Sequence, residues 1–192
     1  MAFLSRSALE SMGFAAIGDN VQISEKASLY GCARISLSHD VRIDDFAVLS
    51  AGEGGIDLGA FVHVAGYSSL VGRGRITMAD FSGLSSRVSI YSSNDDYSGG
   101  GLTNPTVPAP YSNVRHADVR LERHVIIGCG SIILPGVVLE EGVAVGALSL
   151  VHKNCEAFGI YVGNPARRVK ERKRDLLEVE KAFLASLGEA RR

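Results

Sequence analysis

The chain has 192 residues, a formal net charge of −1, 22 glycines and no tryptophan. This length fits one domain with a sizeable core, and a charge near zero excludes bulk attraction to nucleic acid or to an anionic membrane surface. The three cysteines lie too far apart to suggest a disulfide framework or a zinc cluster. No secretory segment or bilayer-spanning apolar run is present, so the sequence predicts a cytoplasmic protein that does not insert into membranes.

The first predicted element is an N-terminal cap over residues 1–14. Within it, residues 5–14 are predicted to form a short helix, because Ser5 or Ser7 can cap its first turn and Gly13 can end it. This segment would cap the repeat region that follows.

Residues 15–166 repeat an aliphatic position every six residues. Three such hexads form a group of about 18 residues, and the groups are separated by small insertions and one large one. The aliphatic positions are Ile17, Ile23, Leu29, Leu37, Ile43, Leu49, Leu58, Val64, Leu70, Met78, Leu84, Ile90, Leu121, Ile127, Ile133, Leu139, Val145 and Val151.

This period predicts an all-β solenoid of about six triangular coils. Each hexad forms a short strand with one aliphatic side chain pointing inward, and the coils stack through parallel strand pairing. Small residues, as in IGCGSI and VGALSL, are expected at the corners. The alternative, a β-sandwich, would show a period of two with turns every ~8–12 residues.

A long inserted loop, residues 92–115, interrupts the fourth group of hexads. The stretch SIYSSNDDYSGGGLTNPTVPAPY (89–111) combines the adjacent acids Asp95 and Asp96 with tyrosines, glycines and prolines. Prolines restrict the loop and reduce the entropy lost when it becomes ordered. Acids and aromatic residues in one restrained loop favour an active-site wall over a spacer.

The last predicted element is a C-terminal helix over residues 167–192. The basic run RRVKERKRD (167–175) is interpreted as a solvated helix face and not as a nucleic-acid patch. An apolar stripe is typical of packing against the last coil or a neighbouring subunit. The stripe consists of Leu176, Leu177, Val179, Phe183, Leu184 and Leu187.

The hexads, together with GNPARRVK (163–170) after the last coil, resemble the left-handed parallel β-helix (hexapeptide-repeat) acyltransferases. The branch that looks nearest contains galactoside and maltose O-acetyltransferases and sugar acetyltransferases of surface-polysaccharide pathways. The resemblance implies a left-handed solenoid, a homotrimer, and acetyl-CoA bound in the groove between neighbouring prisms. It implies no metal.

The catalytic base is the point at which this chain departs from that family. Galactoside-type enzymes end the hexad before the loop with a histidine, and this chain has Asp95 there. A carboxylate with an ordinary pKa near ~4 is a weak base for a hydroxyl group. Either burial beside Asp96 raises the pKa of the pair, or another residue is the base, or the activity is lost.

His63 is the favoured base. It ends the hexad LGAFVH (58–63), in a coil that the resemblance associates with the sugar pocket. We predict a His63–Asp95 dyad across a subunit boundary, with His63 taking the proton and Asp95 or Asp96 orienting its ring. The alternative is an interface histidine whose ring is satisfied by backbone groups.

Ligand contacts are predicted partly from residue type and partly from the resemblance. Backbone N–H groups of Gly66 or of the run 92–94 are candidates to stabilise the thioester oxygen as it gains charge. The expected substrate contacts are Tyr67, Tyr91, Asn94, Tyr97 and Asn104. The resemblance assigns coenzyme A contacts to Cys129, Gly130, Gly146, Ala147, Ser149, His152, Lys153 and Arg167.

The function predicted from these residues is acetyl-CoA-dependent O-acetylation of a sugar hydroxyl in polysaccharide or lipopolysaccharide biosynthesis. N-acetylation of a nucleotide-linked amino sugar is the alternative, because a neutral amine needs less help from a base than a hydroxyl does. A non-catalytic scaffold trimer is a further alternative hypothesis. A γ-type carbonic anhydrase would need three histidines around one zinc ion. His116 and His124 fit that pattern poorly, and His124 and His39 are predicted at the surface.

Overall fold

The computed structural model describes residues 2–190, with side chains up to Leu187. It is a parallel β-solenoid with six complete triangular coils and the first part of a seventh, as the hexad period predicts. Three sheets form the sides of the prism, and one helix lies at each end of the chain. The aliphatic core runs along the axis of the prism.

The strands are short, and each sheet takes one strand from every coil. Sheet one contains β1 (Ala16–Ile17), β4 (Ile35–Leu37), β7 (Ile56–Leu58), β10 (Ile76–Met78), β15 (Val119–Leu121) and β18 (Val138–Leu139). Sheet two contains β2 (Gln22–Ile23), β5 (Arg42–Ile43), β8 (His63–Val64), β11 (Gly83–Leu84), β16 (Ile126–Ile127), β19 (Ala144–Val145), β21 (Gly159–Val162) and β22 (Arg167–Glu171). Sheet three contains β3 (Ser28–Tyr30), β6 (Val48–Ala51), β9 (Ser69–Gly72), β12 (Ser89–Tyr91), β17 (Ile132–Ile133) and β20 (Leu150–Val151).

The predicted aliphatic positions form the ladders of the core. In sheet two, for example, Ile43 pairs with Val64 and Val64 pairs with Leu84 in the next coil. All of the predicted positions are buried except Ile17 and Leu29 in the first coil, which are partly buried. Because every coil repeats the same inward position, each methyl-bearing side chain packs on those directly above and below it.

Small residues lie at the corners as predicted, for example Gly18 and Gly128, where an added Cβ would come within 2.6 Å and 2.5 Å of backbone nitrogen atoms in the next coil, but large residues lie beside them. Two of the three corners carry large residues in the left-handed region, with φ near 60°. Phe61, Phe81 and His124 stack in a row at the first corner and Phe46 stacks on Tyr67 at the second, and this stacking offsets the cost of positive φ there, roughly 1–2 kcal/mol per residue. The first corner, between sheets one and two, carries Asn20, Asp40, Phe61, Phe81, His124 and Phe158, and the second corner, between sheets two and three, carries Phe46, Tyr67, Arg87 and Leu148.

The third corner, between sheet three and the next coil of sheet one, accommodates the insertions. The loop predicted over 92–115 leaves the fourth coil here, on a stem in which β13 (Ser93–Asn94) pairs antiparallel with β14 (Arg115–His116). A 3-10 turn at Ala109–Tyr111 follows the prolines. The tip is open to solvent, and Tyr97 is the most exposed of its aromatic residues at 87%.

The N-terminal cap agrees with its prediction. Helix α1 (Arg6–Ser11) begins after Ser5, whose hydroxyl accepts a hydrogen bond from the N–H of Ala8 at 3.2 Å. Gly13 then takes a φ of 69°, which glycine adopts without strain.

The C-terminal segment is helical only in its second part, so the predicted helix over 167–192 starts too early. Arg167–Glu171 is strand β22, antiparallel to β21, and helix α2 spans Leu176–Ala190. The last parallel strand would otherwise present an unpaired edge, and a strand rich in arginine and lysine covers such an edge without inviting a further strand. Residues 191–192 lie outside the described part of the chain.

Helix α2 returns along the first corner. Phe183 packs edge-on against Phe61, with ring centroids 5.2 Å apart, and against Phe81 at 6.2 Å. Glu180 binds both Arg123 and His124. Phe183 of the apolar stripe therefore packs on corner residues of the middle coils and not on the last coil, whereas Val179 and Leu184 are exposed. Packing of the stripe against a neighbouring subunit stays a prediction.

Candidate active site

His63 is held by a carboxylate from the coil before it. The Nε2 atom of His63 lies 2.9 Å from Oδ2 of Asp44, and Oδ1 of Asp44 accepts a hydrogen bond from Nε of Arg42 at 2.7 Å. The Asp44 side chain is 12% exposed, whereas that of His63 is 47% exposed. Burial favours a higher pKa for Asp44, but Arg42 and His63 outweigh it and lower that pKa. Asp44 is therefore ionised near neutral pH.

This arrangement leaves one ring nitrogen of His63 open. A carboxylate at Nε2 favours the tautomer with its proton on Nε2, so Nδ1 carries the lone pair. Among the described side chains, none is hydrogen-bonded to Nδ1. The ring borders a surface depression of about 470 Å³ whose walls include Phe81, Ile126 and Ser85. His63 thus presents a proton acceptor to a cleft.

Asp95 lies on another side of the prism. It follows β13 and lines a depression of about 640 Å³ over sheet three, together with Tyr91, Asn94 and Tyr97. His63 lies in sheet two and its carboxylate partner is Asp44. Within one chain His63 and Asp95 therefore do not pair, which agrees with the expectation that a dyad would have to form across a subunit boundary. A contact between subunits remains a prediction.

Asp96 does not have the raised pKa that would make it a base. Its Oδ1 accepts a hydrogen bond from the N–H of Ser98 at 2.8 Å, and Asn113 approaches its other oxygen at 3.4 Å. These hydrogen bonds, led by those from Ser98, lower the pKa of Asp96. The idea that burial and Asp95 raise the pKa of the pair is wrong for Asp96, because its carboxylate is exposed and stabilised in its charged form.

Three of the four other histidines have structural partners. His124 is buried beneath α2, contrary to its predicted surface position, and its Nε2 lies 2.8 Å from Oε2 of Glu180. His116 contacts the Ser93 hydroxyl at 2.8 Å, and His39 contacts Asp40 at 2.8 Å. No group of three potential metal ligands occurs among the residues that the structure describes.

The predicted substrate contacts fall into two groups. Tyr91, Asn94 and Tyr97 share the depression beside Asp95. Asn104 and Tyr67 lie elsewhere, and both are engaged locally. Asn104 binds the N–H of Thr106 at 3.1 Å. The Tyr67 ring stacks on Phe46 at 4.9 Å, with the Arg87 guanidinium 5.6 Å from the same ring.

The small residues predicted to contact coenzyme A also differ from one another. Within residues 2–190, the N–H groups of Gly130 and Gly146 donate to Ser86 and Tyr161, whereas those of Cys129 and Ala147 donate to no protein acceptor. Ser149 is buried, and its hydroxyl donates to the carbonyl of Gly146 at 2.8 Å. Of these five small residues, only Cys129 and Ala147 therefore offer free backbone N–H donors, and both lie at the second corner.

The predicted cationic contacts lie together. His152, Lys153 and Arg167 line a depression of about 250 Å³ near the end of the solenoid, beside Arg168. Clustered cations of this kind suit the binding of phosphate groups. The free backbone N–H groups thus lie on the fifth and sixth coils, and the basic side chains lie next to them near the end of the solenoid.

Comparison with known proteins identifies the family. The chain is 54% identical over 186 residues to the dTDP-4-amino-4,6-dideoxy-D-glucose acyltransferase of Escherichia coli. The matched region covers 97% of each of the two chains. The chain belongs to the sugar acyltransferases. No protein-family model matches it.

Solved sugar acyltransferases share its structure. AntD, an N-acyltransferase from Bacillus cereus in complex with dTDP and 3-hydroxybutyryl-CoA, is 46% identical with a TM-score of 0.93, covering 97% of this chain and 98% of that chain. A maltose O-acetyltransferase from Clostridium difficile 630 shares the fold at 18% identity, with a TM-score of 0.58, covering 88% of this chain and 74% of that chain. The predicted solenoid and acyltransferase class are confirmed. The O-acetyl prediction is not confirmed, and the relatives named for amino sugars favour its N-acyl alternative.

Location and assembly of this sugar acyltransferase are less constrained. Of the helices described, none combines the length and the apolar character that a membrane crossing requires. The cytoplasmic location and the homotrimer stay predictions.

Sequence reasoning missed Arg42 and Asp44. The ladder of aliphatic positions carried the signal, because pairing Ile43 with Val64 places Arg42 directly beside His63. Asp44 then follows on the same side as Arg42. The register of the hexads could therefore have identified the partner of His63.

Proposed function

We propose that this sugar acyltransferase transfers an acyl group from a coenzyme A thioester to the amino group of a dTDP-linked amino sugar. The observation that carries the proposal is the 54% identity, over nearly the whole chain, to a relative named for dTDP-4-amino-4,6-dideoxy-D-glucose. Asp95 at the position where O-acetyltransferases carry a histidine agrees with it, because an amine is the better nucleophile. The proposal keeps the polysaccharide-biosynthesis context that the family resemblance implies.

The reaction requires a proton acceptor beside the amine. As the nitrogen attacks the thioester carbonyl carbon, a C–N bond forms and the carbonyl oxygen gains charge; the C–S bond then breaks. In our proposal Nδ1 of His63 takes the proton of the amine and passes it to the departing thiolate, which leaves as free coenzyme A. Asp44 keeps the ring in the required tautomer and stabilises the imidazolium that forms.

Donor and acceptor are proposed to meet at the second corner. The free N–H groups of Cys129 and Ala147 would pair with the pantetheine amides, and the cluster around Lys153 and Arg167 would bind phosphate. Near Asp95, the outward side chains Ile132 and Leu150 form an apolar wall. Such a wall suits a short acyl chain, and the Bacillus cereus relative was solved with 3-hydroxybutyryl-CoA.

We further propose a homotrimer whose sites lie between subunits. His63 in sheet two and Asp95 beyond sheet three do not meet within one chain, and the loop that carries Asp95 exposes Tyr97 to solvent. We propose a cyclic trimer in which each sheet two faces the neighbouring sheet three, so that Asp95 contacts the acceptor held by the neighbour's His63. Solved structures of the Bacillus cereus relative include variants of a serine and an aspartate ten positions apart. Ser85 with Asp95, and Ser86 with Asp96, have that spacing here.

The reaction test uses purified protein, acetyl-CoA and dTDP-4-amino-4,6-dideoxyglucose. We expect a product that carries one acetyl group and survives hydroxylamine, which cleaves esters and leaves amides intact. The control acceptor is the matching 4-hydroxy sugar nucleotide, which should yield no product. A hydroxylamine-sensitive product from the control would instead support O-acetylation.

The assembly test mixes two inactive variants, His63→Ala and Asp95→Ala, after joint refolding or co-expression. If each site takes His63 from one subunit and Asp95 from the next, random trimers regain about a quarter of the sites. If both residues serve the same chain, mixing restores no activity. Mass measurement by light scattering checks that trimers are present.

A further inference from the structure

The outward face of sheet two has a gap. One residue per coil points outward in this column, and every one except Gly83 carries a side chain. From the first coil to the last the column reads Gln22, Arg42, His63, Gly83, Ile126, Ala144 and Ile160. The gap therefore lies directly between the imidazole of His63 and the side chain of Ile126.

Nothing in the backbone requires a glycine at position 83. A Cβ atom there would lie 3.8 Å from the carbonyl oxygen of His63 and 3.8 Å from Cδ1 of Ile126, both ordinary van der Waals contacts. The backbone of Gly83 is a regular strand, outside the left-handed region. Glycine inside a strand costs roughly 0.5–1 kcal/mol relative to alanine. The missing side chain thus has a cost without a structural reason, which points to space kept for a ligand.

The walls of the gap have different chemistry on its two sides. Towards the first corner and the next coil, Phe61, Phe81 and the 39%-exposed Ile126 form an apolar surface. Towards the second corner lie the hydroxyl groups of Ser85 and Ser86, which have no hydrogen-bond partner among the described side chains. The floor is Gly83, and His63 borders it. The cleft therefore presents a proton acceptor between an apolar wall and a hydroxyl-bearing wall.

We infer that this gap is the subsite for the deoxysugar ring of the acceptor, and that Gly83 and Ile126 select a 6-deoxy sugar. In a 4-amino-4,6-dideoxy sugar the amine lies between a carbon that bears a methyl group and a carbon that bears a hydroxyl group. With the amine at His63, the methyl group packs on Ile126 and Phe81 while the 3-hydroxyl faces Ser85. This inference rests on the proposed amino-sugar acylation.

The test compares two acceptors, the 4-amino-4,6-dideoxy sugar nucleotide and its analogue with a hydroxymethyl group in place of the methyl. The native enzyme should prefer the methyl acceptor in kcat/KM by at least about tenfold, the scale on which apolar pockets discriminate. Ile126→Thr, which makes the wall polar at an outward position, should reduce that ratio several-fold. Gly83→Val should raise the KM and the calorimetric Kd of the acceptor about tenfold or more and leave the KM of acetyl-CoA unchanged.

Thr77→Val is the matched control, because Thr77 is the outward residue of the same coil on sheet one and lies away from the gap. It should leave the acceptor ratio and both KM values as in the native enzyme. An Ile126→Thr enzyme with the native acceptor ratio, or a Gly83→Val enzyme with the native acceptor KM, would overturn the inference while the proposed function stands. A native enzyme that neither binds nor acylates either amino sugar would overturn both.

Discussion

Two histidines of this enzyme have the same kind of partner and opposite surroundings. His63 and His124 each place Nε2 against a carboxylate, Asp44 at 2.9 Å and Glu180 at 2.8 Å. The side chain of His63 is 47% exposed beside a cleft, whereas that of His124 is 9% exposed beneath a helix. A carboxylate–histidine pair is thus no sign of catalysis by itself, and access to the second ring nitrogen separates the two.

The difference arises from what covers each part of the solenoid. His124 takes a positive φ at the first corner, stacks on Phe81 at 5.3 Å between ring centroids, and is sealed by α2. His63 lies in a strand with Gly83 as its neighbour in the next coil, so no side chain covers it from that side. The His124–Glu180 pair attaches helix α2, whereas the His63–Asp44 pair faces the space that we assign to the acceptor.

The largest expected effect separates the two histidines directly. His63→Ala should lower kcat about a hundredfold or more, the size expected for loss of a general base, with acetyl-CoA binding intact. His124→Ala should leave kcat within a few-fold of native and lower thermal stability instead, because it leaves Glu180 without its buried partner. Steady-state kinetics, calorimetric titration with acetyl-CoA and thermal unfolding measure these quantities.

The opposite pattern would break the comparison. If His63→Ala retains full activity and Asp95→Asn removes it, His63 is not the base and the loop carboxylate acts alone. His63→Gln is a useful companion variant, because it keeps a polar side chain against Asp44 but cannot accept a proton at neutral pH.

The next effect tests Asp44 as a positioning residue. Asp44→Asn removes the charge that favours a protonated ring and permits the wrong tautomer, so kcat should fall about tenfold or more. The KM of each substrate should stay near its native value, because the change acts on the ring of His63 and not on a substrate contact. A raised KM with a native kcat would reduce Asp44 to a structural residue.

The hexad pattern predicted the ladders of the core, but it did not predict the large residues at the corners. Each inward position recurs at a fixed spacing, so residues such as Ile43, Val64 and Leu84 must form one ladder once the chain coils. No comparable rule of spacing determines which type of residue lies at a corner. Phe61 and Phe81 sit at positive φ because they stack on each other at 4.9 Å and on α2, a tertiary contact that local propensity does not report.

The pairing at the candidate site follows from the hexad phase, although the prediction placed it elsewhere. The departure at Asp95 and the placement of His63 before Val64 both follow from the hexad phase. The orienting carboxylate was sought in the loop, although the same phase puts Asp44 one coil away. The predicted start of α2 was wrong for another reason. The charges of Arg167–Glu171 suit a helix surface and an exposed edge strand equally well.

A smaller effect concerns the attachment of α2. Phe183→Ala removes a ring that is 39% exposed and contacts Phe61 and Phe81, so the loss should be about 1–2 kcal/mol, less than for a fully buried phenylalanine. The melting temperature should fall by a few degrees, and hydrogen exchange should accelerate in α2 before it does in the coils. Lys181→Ala, on an exposed part of the same helix, is the control and should change neither. Equal protection of α2 in the Phe183 variant would mean that Glu180 alone attaches the helix.

The smallest expected effect is the pH dependence of stability at the open pair. Because Arg42 and His63 outweigh burial and hold the pKa of Asp44 below its ordinary value of 3.8, the ionised carboxylate stabilises the fold above that pH. This contribution should disappear as the pH falls through the lowered pKa, where the carboxylate becomes protonated. The difference in unfolding free energy between the native enzyme and Asp44→Asn should therefore be present at neutral pH and shrink in acid. Asp57→Asn, which loses a more exposed pair with Arg75, should show a difference of about 0–1 kcal/mol at any pH. A difference for Asp44→Asn that persists undiminished at the acid end would mean that Asp44 stabilises the coil by its shape and hydrogen bonds and not by its charge.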